Sequence, residues 1–97
     1  MIEMSQNREI AEAFAQGARA GTGSHFFIEG DAIYSYGHHF PIAVIKDRSS
    51  KIAYFNKEGY STTTSIHKGY VERALEAEGF KLELKSTEEL QEMIRKD

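Results

Sequence analysis

HFFIEGDAIYSYGHHFPIAVI, residues 25–45, is the stretch that decides the fold. Two short runs of aromatic and β-branched residues flank Gly30-Asp31, the pattern of a β-hairpin closed by a two-residue turn. Strands His25 to Glu29 and Ala32 to Tyr36 are predicted to pair antiparallel, with Glu29 opposite Ala32, Ile28 opposite Ile33, Phe27 opposite Tyr34 and His25 opposite Tyr36. Alternation then puts Phe26, Ile28 and Ile33 on one face and His25, Phe27, Tyr34 and Tyr36 on the other. Gly37 to Pro41 breaks the pairing with a sharp corner, since Gly accepts unusual backbone angles and Pro41 has no amide to donate.

Working outward, Ile42 to Lys46 and Ile52 to Asn56 read as a second hairpin across the polar loop Asp47-Arg48-Ser49-Ser50, followed by a turn over Asn56 to Gly59. The period becomes helical from about Thr63, with Ile66, Tyr70, Val71, Ala74 and Leu75 on one side. Gly79 stops that helix and Phe80 packs back onto its last turn. Lys81 to Lys85 alternates as an edge strand with Leu82 and Leu84 inward. Ser86-Thr87-Glu88-Glu89 is a capping box, opening a helix that buries Leu90, Met93 and Ile94. Before the hairpin, Ser5 to Ala20 is rich in helix formers, carries Ile10, Ala11, Phe14 and Ala18 on one stripe, and is ended by Gly21 and Gly23. The expected order is α-β-β-β-β-α-β-α: a single α+β domain over residues 1–97, with an antiparallel sheet of four to five strands and flanking helices.

The bulk composition agrees. At 97 residues, 40% hydrophobic and 28% charged, the chain has material for one core. It contains no cysteine, which excludes disulfide scaffolds and thiolate metal sites and suits a reducing cytoplasm. The longest uncharged stretch, Ala32 to Ile45, is too short to span a bilayer, and Met1-Ile2-Glu3-Met4 does not read as a secretory signal. A net charge of −3 disfavours a protein that works by neutralising many phosphates. Acidic residues on the two C-terminal helices alternate with Lys and Arg, as on an ordinary solvated surface.

Chemistry-bearing residues concentrate in YSYGHHFPIA at Tyr34 to Ala43 and YSTTTSIH at Tyr60 to His67. Ser61, Thr62, Thr63 and Thr64 fall where the long helix begins. They read first as caps, and second as an anion-friendly end joined by His67 and Lys68. His38 and His39 are adjacent in extended backbone and so face opposite ways. One of them with His67 could form the two-imidazole acid/base pair of a metal-independent ribonuclease, although histidines at such positions more often fill structural hydrogen-bonding roles. No recognised spacing joins His25, His38, His39, His67, Glu29 and Asp31 into a metal site, and no Gly-rich loop links a strand to a helix for a nucleotide cofactor. No cofactor or metal is expected.

These two segments resemble those of a group of small uncharacterised proteins from phages, plasmids and their bacterial hosts. The group pairs YSYG-x-HFP-(I/L)-A with a downstream YS-x-TTS-x-H. His39, Phe40, Pro41, Ile42 and Ala43 fit the first pattern and His67 the second, over roughly Phe26 to Val71. One extra Thr in Thr62-Thr63-Thr64 departs from it, so the hydroxyls do not match one to one. The resemblance implies a mobile-element accessory protein that blocks a host factor, for instance in a defence system such as CRISPR. The expected function is therefore non-enzymatic binding of a host or phage protein through Tyr34, Tyr36, His38, His39, Ser61, Thr62, Thr63, Thr64, His67 and Lys68. The alternative is a small phosphodiesterase using His39 and His67. Whether an exposed edge strand also pairs two copies is left open by the sequence.

Overall fold

In the α+β computed structural model, the backbone is described for residues 2–96 and the side chains for residues 7–96. Helix α1 (Ile2–Gln16) leads into β1 (Ala20–Gly23), β2 (Phe26–Glu29), β3 (Ala32–Ser35), β4 (Pro41–Asp47) and β5 (Ile52–Asn56). Helix α2 (Thr62–Ala77) then crosses to β6 (Lys81–Lys85), and α3 (Thr87–Lys96) closes the order. The strands lie side by side in chain order in one six-stranded sheet.

The central hairpin has the expected register, Phe27 opposite Tyr34, Ile28 opposite Ile33 and Glu29 opposite Ala32. Its apolar face, with Phe26, Ile28 and Ile33, packs into a core shared with Ala11 and Phe14 of α1 and Val71 and Leu75 of α2. Its other face, with Phe27 and Tyr34, joins Val44, Tyr54 and Leu90 of α3 in a second, smaller core. Strand β4 is therefore covered from both sides, which explains its unbroken buried run from Pro41 to Ile45.

Both helix boundaries near the C-terminus follow from local chemistry. After α2, Gly79 takes φ +88°, a left-handed angle that costs glycine little. Its N–H reaches Glu76 O at 3.0 Å, and the Phe80 N–H reaches Leu75 O at 2.9 Å, closing a Schellman motif over buried Phe80. At α3, the Ser86 N–H donates to Glu89 Oε1 at 2.8 Å and the Glu89 N–H to Ser86 Oγ at 3.1 Å, the reciprocal capping box.

Four expectations need correction. Helix α1 stops at Gln16 instead of Ala20, because Gly17 turns the chain at φ +118°. Ala20–Gly23 then forms a strand, paired with β2 from Ala20 opposite Glu29 to Gly23 opposite Phe26. The order is thus α-β-β-β-β-β-α-β-α, with six strands and not four or five. Nor is the sheet all antiparallel, since β6 runs parallel to β5. The 16-residue helix α2 carries the chain back to the end of the sheet where β5 began, so the next strand must run the same way. Finally, Leu82 packs on the larger core but Leu84 is 63% exposed.

Asn56 pins the end of β5 to its surroundings. It is fully buried; its Nδ2 donates to Pro41 O at 2.8 Å and Thr87 Oγ1 at 2.9 Å, and its Oδ1 accepts the Glu58 N–H at 2.8 Å. The amide thereby joins β4, the turn after β5 and the start of α3. Asn56→Ala is expected to cost about 2–3 kcal/mol, because it orphans the buried Pro41 carbonyl as well as losing the other two bonds. Urea unfolding should show this as a lower midpoint with an unchanged slope.

Candidate functional site

The corner after β3 and the opening of α2 meet through one buried chain of hydrogen bonds. Ser35, the last residue of β3, sits at 0% exposure with its Oγ 2.8 Å from His67 Nδ1 and 3.1 Å from Thr64 Oγ1. His67 is 2% exposed and its ring lies 4.6 Å from that of Phe26. On the far side of the imidazole, Nε2 faces Asn7 Nδ2 of α1 at 3.4 Å.

The direction of each bond follows from its partners. The Ser24 backbone N–H must donate to Asn7 Oδ1, at 3.0 Å, which leaves the Asn7 amide nitrogen facing the histidine. That nitrogen can only donate, so Nε2 accepts and the imidazole proton sits on Nδ1. Nδ1–H therefore donates to Ser35 Oγ, which shares a second hydrogen bond with Thr64 Oγ1. Ser61 caps α2, accepting the Thr64 N–H and donating to Thr64 Oγ1, both at 3.1 Å. A serine 2.8 Å from a histidine resembles a nucleophile with its base, yet here the proton runs from the ring to the hydroxyl. Ser35 has no base to take its hydrogen.

Backbone packing guards the same cluster. A Cβ added at Gly23 would fall on Asn7 Oδ1, so only glycine lets β1 pass that close to the amide.

Above this buried chain lies an exposed aromatic rim. His25 and Tyr36 both have left-handed backbone, φ 56° and 73°, at the two ends of the central hairpin. Their rings stack at 4.8 Å. Tyr36 comes within 6.4 Å of the His67 ring and 6.2 Å of Tyr60. The expected placement of His25 and Tyr36 on the Phe27 and Tyr34 face is thus corrected: positive φ breaks the alternation and swings both towards the α2 side. Tyr60, from the loop before α2, also meets Phe40 at 5.4 Å and receives a contact from His39 Nε2 to its hydroxyl at 3.3 Å. His39 is held through its backbone too, its carbonyl accepting Gln91 Nε2 of α3 at 2.9 Å.

The residues singled out in the sequence therefore separate into three groups, with Lys68 apart from them. Tyr36, His39, Ser61, Thr62 and Thr63 are exposed on or beside the rim, while Thr64 and His67 are buried beneath it. Tyr34 is buried in the opposite core, and His38 lies on that side as well, edge-on to Phe27 and Tyr34 and paired with Glu29. Lys68 is engaged: its Nζ donates to Glu58 O at 2.8 Å and lies 5.6 Å from the centre of the Phe55 ring, with burial pushing its pKa down. Burial likewise raises the Tyr34 phenol. Among the described residues, no three His, Asp or Glu side chains converge as metal ligands would.

Sequence reasoning missed Asn7, Ser24, Ser35 and Tyr60. A signal for two of them existed. Ser35 falls on the same strand face as Ile33, and Asn7 on the same helix stripe as Ala11 and Phe14, so each is a polar residue on an otherwise apolar face. The chain matches no family model, no curated protein and no solved structure.

Burial pushes the His67 pKa below its ordinary 6.5, with proximity to His25 adding to the effect. The unfolded chain thus binds a proton near pH 6.5 that the folded chain refuses. Stability from this group is complete above that pH and is lost as pH falls towards the depressed folded value. The difference in unfolding free energy between the parent and His67→Gln, measured by urea titration from pH 8 to pH 5, is expected to shrink steadily below pH 6.5. A difference constant across that range would place the titration elsewhere.

Proposed function

We propose that this chain is a non-enzymatic binding domain that captures a protein partner on the rim formed by His25, Tyr36, Tyr60 and His39. The observation that carries the reading is the pair of large side chains left in solvent at neighbouring positions, Tyr36 at 41% and Tyr60 at 56% exposure. Tyrosine in such a setting offers wide apolar area and a polar tip at small entropic cost, the composition found at the centre of protein interfaces. The hydrogen-bonded chain beneath holds the rim in place before any partner arrives, which lowers the ordering cost of association.

The net charge of −3 favours a protein partner over a nucleic acid. The two segments' resemblance to phage- and plasmid-borne proteins suggests an accessory role, with a factor of host defence, such as a CRISPR nuclease, as the class of target. His67 speaks against the two-histidine phosphodiesterase. It is 2% exposed with both ring nitrogens engaged, and so has none to offer a substrate beside His39.

The test pairs Tyr36→Asn with Tyr60→Ala, asparagine being chosen because it tolerates the left-handed angle at position 36. Bacterial lysate is passed over immobilised parent and double variant, each first checked for an unchanged melting temperature. A host protein held by the parent should be lost from the variant by at least about tenfold, the cost of removing one interface hot spot. Equal retention on both would place the binding surface elsewhere.

A further inference from the structure

Strand β6 forms one border of the sheet, and among the described residues nothing pairs with its outer side. Its backbone polarity is fixed by its inner neighbour. The Lys81 N–H donates to Lys51 O at 2.7 Å and Lys85 O accepts the Lys57 N–H at 2.9 Å, so Lys81, Glu83 and Lys85 turn their peptide groups towards β5. Alternation then turns the N–H and C=O of Leu82 and Leu84 outward. Leu84 is also 63% exposed, more than Tyr36, Tyr60 or Ile66. An open donor and acceptor pair thus coincides with an uncovered apolar side chain on a single residue.

We propose that a second copy of this chain pairs antiparallel with β6 about a two-fold axis through Leu84, joining two sheets into one. The exposure of Leu84 selects that register, and the sequence Lys-Leu-Glu-Leu-Lys supplies matching charges on either side of it. With Leu84 on the axis, Leu84 meets the partner's Leu84 in a hydrogen-bonded pair. Glu83 then lies opposite the partner's Lys85, and Lys85 opposite the partner's Glu83, two attractive cross-strand pairs. An axis through Glu83 would instead oppose like charges at every charged position, Glu83 to the partner's Glu83 and Lys81 to the partner's Lys85. An axis through Leu82 would set the exposed Leu84 opposite the partner's Phe80, whose N–H already donates to Leu75 O at 2.9 Å, and not opposite a second exposed leucine. On the Leu84 axis the backbone bonds are the two of the central pair, because the Ser86 N–H is held by Glu89 Oε1 at 2.8 Å.

Lysines on a border strand ordinarily guard against pairing. Glu83 between them turns that guard into a charge pattern complementary to its own copy. The other border, β1, reads Ala-Gly-Thr-Gly and has neither charge nor large apolar side chain with which to fix an alignment.

Sedimentation equilibrium over about 1 µM to 1 mM should reveal a reversible dimer. Glu83→Lys is expected to raise its dissociation constant by at least about tenfold, since it replaces both attractive pairs with repulsive ones. Combining Glu83→Lys with Lys85→Glu should restore affinity, because the charges then face each other again. Leu84→Asp should abolish the dimer while leaving the melting temperature of the dilute monomer unchanged, this side chain being exposed there. A chain that stays monomeric throughout, a Glu83→Lys change without effect, or a double exchange that fails to restore affinity would each overturn the proposal.

Discussion

The constraint on which the rest of this molecule depends is the need to satisfy three polar side chains that the fold takes out of water. Asn7, Ser35 and His67 come from α1, β3 and α2, and each occupies a position that the neighbouring pattern reserves for an apolar residue. None could be buried alone without cost. Together they complete one another, and among the described residues no buried side-chain nitrogen or oxygen lacks a partner. Such a set is satisfied only when both helices and the hairpin stand in one relative arrangement, so its contribution lies as much in fixing geometry as in adding stability. The same arrangement sets the close passage of β1 at Gly23 and the start of α2 at Ser61.

That arrangement also explains the exposed aromatic side chains. His25 and Tyr36 leave the hairpin through left-handed backbone, facing each other across its open end, and the Tyr36 N–H donates to His25 O at 2.9 Å. Neither angle comes cheaply to a residue with a Cβ, and such conformations persist where the surroundings determine them. Here the surroundings are the buried Ser35 next to Tyr36 and the Ser24 amide next to His25, both tied into the same hydrogen-bonded set.

Much of the fold was legible because its signals are local. The Gly30-Asp31 hairpin, the Gly79 and Phe80 stop and the Ser86 to Glu89 box each reside in a few consecutive residues. Strand β1 was hidden because Ala-Gly-Thr-Gly has no strand propensity of its own; pairing with β2 and the Asn7 contact make it extended. The direction of β6 was hidden because it depends on where a helix delivers the chain. At the rim, the two segments were visible as concentrations of polar and aromatic residues. Which of those residues reach solvent was not, because alternation fails at two left-handed residues that no composition announces.

The crossover through α2 divides the molecule in time as well as in space. From β1 to β5 every connection is a tight reversal between neighbours, so this part can assemble from contacts close in sequence. The β5 to β6 pairing must wait for an intervening helix to form and dock, and α3 must wait longer still. During synthesis the five-stranded meander therefore emerges with one face shielded only by α1 and the other bare. Ala32, Val44 and Tyr54 are uncovered until α3 has left the ribosome and docked. A small domain with such a late-arriving lid on its second face is most vulnerable to aggregation as a nascent chain, well before it has a surface with which to recognise anything.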